Sequence, residues 1–144
     1  MSNFERAQVA RFAYEEAQST GSLDCIKAIC YVLRNRLKNG WGNTWLEVMI
    51  GHANVEGNLS KLLIPLHYFP VEVQAGDRLL QLIVRDIDDI YMGQSQDDTK
   101  TVVQDALYWQ FVDRPASQWF TEHIVRDPVN HPRIAQVGPI VLFR

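Results

Sequence analysis

The chain has 144 residues, of which 47% are hydrophobic and 22% are charged, and its formal net charge is −3. This length and composition predict a single domain, residues 1–144, with enough apolar side chains to bury a sizeable core. The slightly acidic balance and the scattered Lys and Arg residues argue against nucleic-acid binding. No stretch approaches the run of about 18 apolar residues that a membrane-spanning helix needs, so we expect no membrane span.

The first residues contain no basic segment followed by an apolar run, so we expect synthesis in the cytoplasm without a signal peptide. Cys25 and Cys30 are five positions apart. On one helix this spacing separates their Cα atoms by about 8 Å, too far for an unstrained disulfide. We expect both thiols to be buried and reduced. The four histidines occur singly and outside metal-binding spacings, so we expect no metal site and no cofactor.

The first predicted helix runs from Ser2 to about Thr20, and Ser2 with Glu5 has the spacing of a capping box. Its apolar stripe, at helical spacing, consists of Val9, Phe12, Ala13 and Ala17. Glu16 fills the remaining position of that stripe, whereas Glu15 projects towards solvent on the other side, near Gln8 and Arg11. The two neighbouring carboxylates therefore have different predicted environments.

Glu16 is the candidate catalytic residue because its side chain is aimed at an apolar face. Burial disfavours the charged form of a carboxyl group, so such a glutamate can hold a proton near neutral pH and act as a general acid. The alternative is a structural glutamate that reaches the helix edge or pairs with a buried base. Both interpretations stay open at this point.

The second predicted helix begins after the N-cap Ser22 and ends at Asn39-Gly40. Apolar residues cover more than half of its circumference, which is typical of the most buried helix of a domain. Arg36 projects into this apolar face, and a guanidinium there needs a partner because it cannot lose its proton. We expect an internal ion pair or hydrogen bonds to loop carbonyls. A pair with Glu16 would keep that carboxylate charged and unsuited to acid catalysis.

Weaker patterns follow in the middle of the chain. Thr44 and Glu47 predict a short helix through a second capping box, and residues 51–60 form a polar loop that contains Glu56. A third long helix is predicted from Val71 or Ala75 to Met92. Residues 94–101 have the composition of a surface loop.

The last third of the chain mixes aromatic and β-branched residues. Residues 101–112 are compatible with either a short helix or an extended aromatic segment. Pro115 is predicted at the first position of a further short helix. Residues 133–144 are rich in β-branched side chains and are broken at Gly138-Pro139, so they predict paired strands or a small hairpin.

Taken in order, these segments resemble the cell-wall hydrolase family of the spore cortex-lytic (SleB-like) enzymes. Its first helix is paralleled by AYEEAQ at 13–18. Its second helix, with the pattern A-V-x-x-V-x-x-N-R-V-K, is paralleled by AICYVLRNRLKN at 28–39, and its T-x-x-x-V-V motif by WGNTWLEVM at 41–49. Its aromatic segment is paralleled by DALYWQF at 105–111 and its P-x-W motif by RPASQWF at 114–120. Its closing strand is paralleled by AQVGPIVLFR at 135–144. The resemblance therefore covers nearly the whole chain.

The resemblance implies an α+β, predominantly α-helical, lysozyme-like fold with a small C-terminal β hairpin. It also implies cleavage of the bond between N-acetylmuramic acid and N-acetylglucosamine in peptidoglycan glycan strands, by a glycosidase or a lytic transglycosylase that needs no metal. The family's catalytic glutamate falls on Glu16. Trp41, Tyr108 and Trp109 are candidate substrate-binding residues that could stack on sugar rings, and Glu56 is the acid that could assist hydrolysis by water.

The chain departs from the family at cleft positions: the glycine before the catalytic glutamate is Glu15, and the histidine of the closing motif aligns with Ile140. One alternative is therefore a catalytically inactive lysozyme-like module that binds a glycan or a protein partner. Another is an unrelated helical protein with an internal pair between Glu16 and Arg36. Without a signal peptide, action on the cell wall would require a phage-type lysis or tail enzyme, or a dedicated export machine.

Overall fold

A computed structural model of the chain describes residues 2–49, 78–93 and 97–144. The protein is mostly helical and carries a small three-stranded antiparallel sheet. The helices are α1 (Asn3–Ala17, continued by the 3-10 turn Gln18–Thr20), α2 (Leu23–Lys38), α3 (Arg78–Met92), α4 (Asp98–Val103) and α5 (Gln118–Phe120, continued by a π-helical turn, Thr121–Val125). Residues 45–49 are also helical. The predicted α+β class with predominant helix is confirmed.

The sheet is built from β1 (Tyr108–Phe111), β2 (Arg133–Val137) and β3 (Ile140–Phe143) in the order β1-β3-β2. β2 and β3 form the predicted C-terminal hairpin, in which Gly138 occupies the turn with a φ of 52°. β1 pairs antiparallel with the other edge of β3. The extended interpretation of the aromatic segment is therefore correct for residues 108–111, and α4 ends just before it.

The core forms where α1, α2 and α3 pack against one another, and α2 additionally contacts α4, β1 and β2. α2 is thus the central element, as its wide apolar face predicts. The sheet is covered on both faces. Trp109 of β1 meets Phe12 of α1 edge-on at 6.5 Å, whereas Tyr108 points to the opposite face and meets Phe120 of α5 at 6.4 Å.

The predicted capping box at the start of α1 has a second role. Ser2 Oγ accepts a hydrogen bond of 3.1 Å from the backbone N–H of Glu5, as expected for an N-cap. The Glu5 carboxylate, however, accepts from the backbone N–H groups of Trp45 and Leu46, at 2.9 and 3.3 Å. These are donors at the start of the 45–49 helix, which would otherwise lack helical partners. Glu5 therefore joins the beginnings of two helices.

The prediction of a surface loop over residues 94–101 is wrong from Asp98 onwards, where α4 begins. Asp97 is the N-cap of α4, since its Oδ1 accepts from the backbone N–H of Lys100 at 2.9 Å. Its Oδ2 accepts from the Tyr31 hydroxyl at 2.7 Å and from Lys27 Nζ at 3.3 Å. The cap is thus held by α2, a contact that loop-like composition does not reveal.

The predicted position of Pro115 is also wrong, because this residue precedes the helix. α5 begins at Gln118 after the N-cap Ser117, whose Oγ accepts from the backbone N–H of Phe120 at 3.1 Å. Serine is a favourable N-cap because its side-chain oxygen satisfies an orphan helix donor. The predicted start of the third long helix lies outside the described residues.

Cys25 and Cys30 are both free and buried, in agreement with the spacing argument. Desolvation by burial raises the pKa of the Cys30 thiol above its ordinary value. Among the residues that the structure describes, none of the helices combines the length and the apolar character needed to cross a bilayer.

Candidate functional site

Glu16 lies near the end of α1 and is only 6% exposed, which confirms the predicted inward orientation. Phe12, one turn earlier, is buried and contacts the Trp109 ring of β1. Residues four positions apart on a helix are neighbours on the same face. Glu16 is therefore on the side of α1 that packs towards β1.

Glu15 is less exposed than the helical wheel predicts. Its carboxylate accepts a hydrogen bond of 3.1 Å from Arg11 Nε, one turn earlier, and its side chain retains 25% of its exposure. Arg11 itself is buried. α1 therefore buries charged groups on more than one side, and Glu15 lies near Arg11, as predicted, but is only partly exposed to solvent.

Arg36 lies at the centre of a second group, which contains three of the predicted substrate-binding residues. Its Nε donates a hydrogen bond of 2.6 Å to the backbone carbonyl of Leu107, as expected for a guanidinium that finds a loop carbonyl. Its guanidinium carbon lies 4.8 Å from the Trp109 ring centre, 4.9 Å from that of Trp41 and 5.5 Å from that of Tyr108. Cations within about 6 Å of an aromatic ring face are attracted by its quadrupole. We call Arg36 and these three rings the Arg36 cluster.

The C-terminus of α2 places Trp41 in the Arg36 cluster. Gly40 has a φ of 79°, and its backbone N–H donates to the Leu37 carbonyl at 3.1 Å. The backbone N–H of Trp41 donates to the Arg36 carbonyl, also at 3.1 Å. This is the hydrogen-bond pattern of a Schellman motif, which brings the residue after the glycine over the last turn of the helix. The local sequence therefore sets Trp41 against Arg36.

β1 supplies the other two rings from opposite faces of the sheet. Arg36 reaches both because it is bonded to Leu107, directly before the strand. Tyr108 is half-buried, and desolvation raises the pKa of its hydroxyl while the neighbouring Arg36 charge opposes this increase. Trp109 is buried and contacts both Arg36 and Phe12. Trp109 is therefore the direct link between the Arg36 cluster and α1.

Two further residues, His131 and Phe120, lie next to this cluster and have no sequence signal that predicts their position. The His131 ring stands edge-on to Tyr108 at 5.1 Å, and its Nδ1 lies 3.1 Å from the carbonyl oxygen of Arg144. Phe120 packs on Tyr108 from α5. Both are separated from Tyr108 by more than ten residues of the chain, so no local pattern connects them, and only the tertiary structure brings them together.

Three of the predicted site residues, Trp41, Tyr108 and Trp109, thus lie together in the structure. Trp109 also contacts Phe12, one helical turn before Glu16. Glu56 lies outside the described residues. Within the described ranges, no group of three or more His, Cys, Asp or Glu side chains could hold a metal ion. Comparisons of the chain with protein-family models, with curated proteins and with solved structures find no match.

Proposed function

We propose that this protein has a lysozyme-like fold and cleaves the glycan strands of peptidoglycan, with Glu16 as general acid and base. The observation that carries this proposal is the burial of the Glu16 carboxyl group, 6% exposed, on the α1 face that packs against the aromatic strand β1. A glutamate carboxyl group beside a glycosidic bond can deliver the proton that cleavage of the bond requires. In the resemblance to the SleB-like family, that family's catalytic glutamate also aligns with Glu16.

In this mechanism the Glu16 carboxyl group protonates the glycosidic oxygen as the bond from the anomeric carbon breaks through an oxocarbenium-like state. In the transglycosylase route, the C6 hydroxyl of the same muramic acid then attacks the anomeric carbon. The Glu16 carboxylate takes the hydroxyl proton, so the residue returns to its starting state. Hydrolysis would instead use a water molecule, and Glu56 is the proposed carboxylate for activating it.

The three aromatic residues have different proposed roles. Trp41 is 44% exposed and can offer its ring to a sugar. Tyr108 is half-buried and can contribute its hydroxyl at the edge of the same surface. Trp109 is buried between Arg36 and Phe12, so we assign it to holding β1 against α1 rather than to direct sugar contact.

The near-complete burial of Glu16 also favours a second candidate, an inactive lysozyme-like module that binds a glycan or a protein partner. In that case the exposed ring of Trp41 would still bind the ligand, but no glycosidic bond would be cleaved. The two candidates differ in one measurable property, the loss of turbidity of purified sacculi.

The test compares wild type, Glu16→Gln and Glu15→Gln on purified sacculi. We expect wild type to clear the suspension and Glu16→Gln to lose activity by about 100-fold or more, as for removal of a general acid. Glu15→Gln is the matched control, since it alters the neighbouring carboxylate and its Arg11 pair, and we expect it to retain activity. Mass spectrometry of the fragments distinguishes anhydro ends from reducing ends.

Unchanged activity of Glu16→Gln would remove Glu16 from the mechanism. A wild-type protein that co-sediments with sacculi but never clears them would establish the binding module instead. Circular dichroism of each variant, recorded at the assay temperature, excludes unfolding as the cause of lost activity.

A further inference from the structure

We propose that Arg36 is a positioning residue that holds the Trp41 ring as a rigid platform for one pyranose ring of a glycan. This inference rests on the proposed function, because it names the binding surface of the same site. It goes beyond that function by assigning a role to a buried cation that itself need not touch the sugar. Failure of this inference and failure of the proposed bond cleavage would give different experimental results.

The first observation is the unusual combination of exposure and order at Trp41. Its side chain is 44% exposed, and Phe4, at 55%, is the other strongly exposed aromatic residue of the described ranges. An exposed tryptophan ring keeps a large apolar area in contact with water. Trp41 is nevertheless held by Arg36 at 4.9 Å and by Tyr108, whose ring lies at 5.5 Å and 60° to it. This ring is therefore both accessible and fixed.

The second observation is how firmly Arg36 is itself anchored. The side chain is 4% exposed, and its Nε is bonded to the Leu107 carbonyl. Because the guanidinium stays charged and is largely desolvated, its attraction to neighbouring rings is stronger than at an open surface. The Schellman motif at Gly40 fixes the backbone of Trp41 independently. A ring oriented in advance loses little conformational freedom when a ligand binds, which improves affinity.

The third observation concerns the kind of ligand that fits this surface. A pyranose ring presents an apolar C–H face surrounded by hydroxyl groups, so it suits an aromatic plane with polar neighbours. Next to Trp41, the half-buried Tyr108 carries a hydroxyl group, and the half-buried His131 ring stands at 5.1 Å from Tyr108. The platform and the proposed acid are also continuous through Trp109, which contacts Arg36 and Phe12, one turn before Glu16.

The experiment measures binding in the Glu16→Gln background, in which the ligand is not cleaved. The probe is chitotetraose, an uncharged β-1,4-linked oligosaccharide of N-acetylglucosamine, titrated by calorimetry. We expect Trp41→Ala to weaken binding by about tenfold, since an aromatic stacking contact is lost. Arg36→Met should weaken it by about fivefold although Trp41 is still present, and Arg36→Lys should fall between Arg36→Met and the parent because it keeps the charge.

Arg34→Met is the matched control for loss of a structural arginine. Arg34 lies on the same helix and is half-buried, and its Nε also donates to a backbone carbonyl, that of Tyr91, at 3.0 Å. We expect this variant to lose stability but to keep the affinity of the parent. Acrylamide quenching of tryptophan emission provides a second readout, and we expect quenching to increase in Arg36→Met. This increase should disappear when Trp41 is also replaced by Phe.

An unchanged dissociation constant for Trp41→Ala or for Arg36→Met overturns the inference, as does failure of the parent to bind chitotetraose. If Arg36→Met does not fold, Arg36→Lys and Gly40→Ala remain decisive, because the latter disturbs the backbone of Trp41 while keeping the Arg36 side chain. A protein that clears sacculi with the same KM after Trp41→Ala contradicts only the platform. A protein that binds through Trp41 but clears nothing contradicts only the catalytic proposal.

Discussion

The side-chain amide of Asn35 donates a hydrogen bond of 2.9 Å to the backbone carbonyl of Ala106, and so ties α2 to the chain directly before β1. It donates equally to the carbonyl of Gln104, and the next residue, Arg36, donates to that of Leu107. Two consecutive side chains of α2 thus hold three carbonyls of the segment that leads into the aromatic strand. Asn35 and Arg36 therefore anchor the start of β1 to α2.

Replacing Asn35 by Ala should therefore destabilise the protein. The substitution removes the donor of two carbonyls, one of them in a partly buried position, so we expect the free energy of unfolding to fall by about 1–2 kcal/mol. Urea denaturation followed by circular dichroism measures this change. Asn39→Ala is the control, since its amide donates only at the exposed end of α2, and it should cost less than about 0.5 kcal/mol. Equal losses in the two variants would contradict the role of Asn35.

The turn between β2 and β3 requires glycine for two reasons. Gly138 has a φ of 52°, and a Cβ added there would lie 3.0 Å from Cys25 Sγ. Gly138→Ala should lower the free energy of unfolding by about 2 kcal/mol, from backbone strain plus the close contact. Gly21→Ala isolates the strain, because its φ is 66° and nothing lies within 4 Å of the added carbon. We expect about 1 kcal/mol for that control.

Introducing Cys25→Ala into the Gly138→Ala protein should recover part of the loss by removing the sulfur. A double variant whose deficit equals the sum of the two single deficits would show that the contact with Cys25 is unimportant.

The stability of the α2–α3 contact should depend on pH through Asp86. Its pKa lies below the ordinary value because Arg85 donates to its carboxylate, and Lys27, with its Nζ 3.5 Å away, adds a smaller contribution. A carboxyl group whose folded-state pKa is lowered stabilises the fold above its unfolded pKa of about 3.9, and this contribution disappears as the pH falls through the folded-state pKa.

Asp86→Asn should therefore reduce the free energy of unfolding at pH 7 by up to about 1 kcal/mol, and the difference from wild type should shrink below about pH 4. Urea titrations at pH 7, 5 and 3 test this. The exposed Asp89 of the same helix supplies the control substitution, Asp89→Asn. A difference that grows on acidification would contradict the assignment.

Two buried aromatic residues with polar atoms should respond differently to loss of those atoms. In the part of the chain that the structure describes, Trp45 Nε1 is buried without a hydrogen-bond acceptor. Tyr31, in contrast, donates its hydroxyl proton to Asp97 at 2.7 Å. Tyr31→Phe should cost about 1.5–3 kcal/mol, as for a hydrogen bond to a charged group.

Trp45→Phe removes more atoms, but it also removes an unpaired donor whose burial is unfavourable. We expect its cost to stay within about 1 kcal/mol, since the loss of packing is offset in part. Thermal unfolding of both variants gives the comparison. A larger loss for Trp45→Phe than for Tyr31→Phe would indicate that the indole N–H has a partner.

The elements that were predicted correctly are those with local signals. The bounds of α2 follow from Ser22, whose Oγ accepts from the Cys25 N–H at 3.4 Å, and from Gly40 in the left-handed conformation. The hairpin follows from a turn glycine between β-branched segments. The inward position of Glu16 follows from helical periodicity alone. α4 was missed because its N-cap, Asp97, lies in a loop-like composition and is held by Tyr31 from α2.

The sequence by itself determined which residues form the central helices and that Glu16 and Arg36 face the interior, because caps and periodicity act within a few residues. Only the tertiary structure decided what Arg36 contacts, since Leu107, Tyr108 and Trp109 reach it through the packing of β1 against α2. Packing joins segments that are far apart in the chain, and composition and spacing carry little information about such contacts. The aromatic surface next to α1 is therefore a property of the fold, whereas the inward position of Glu16 already follows from the helix.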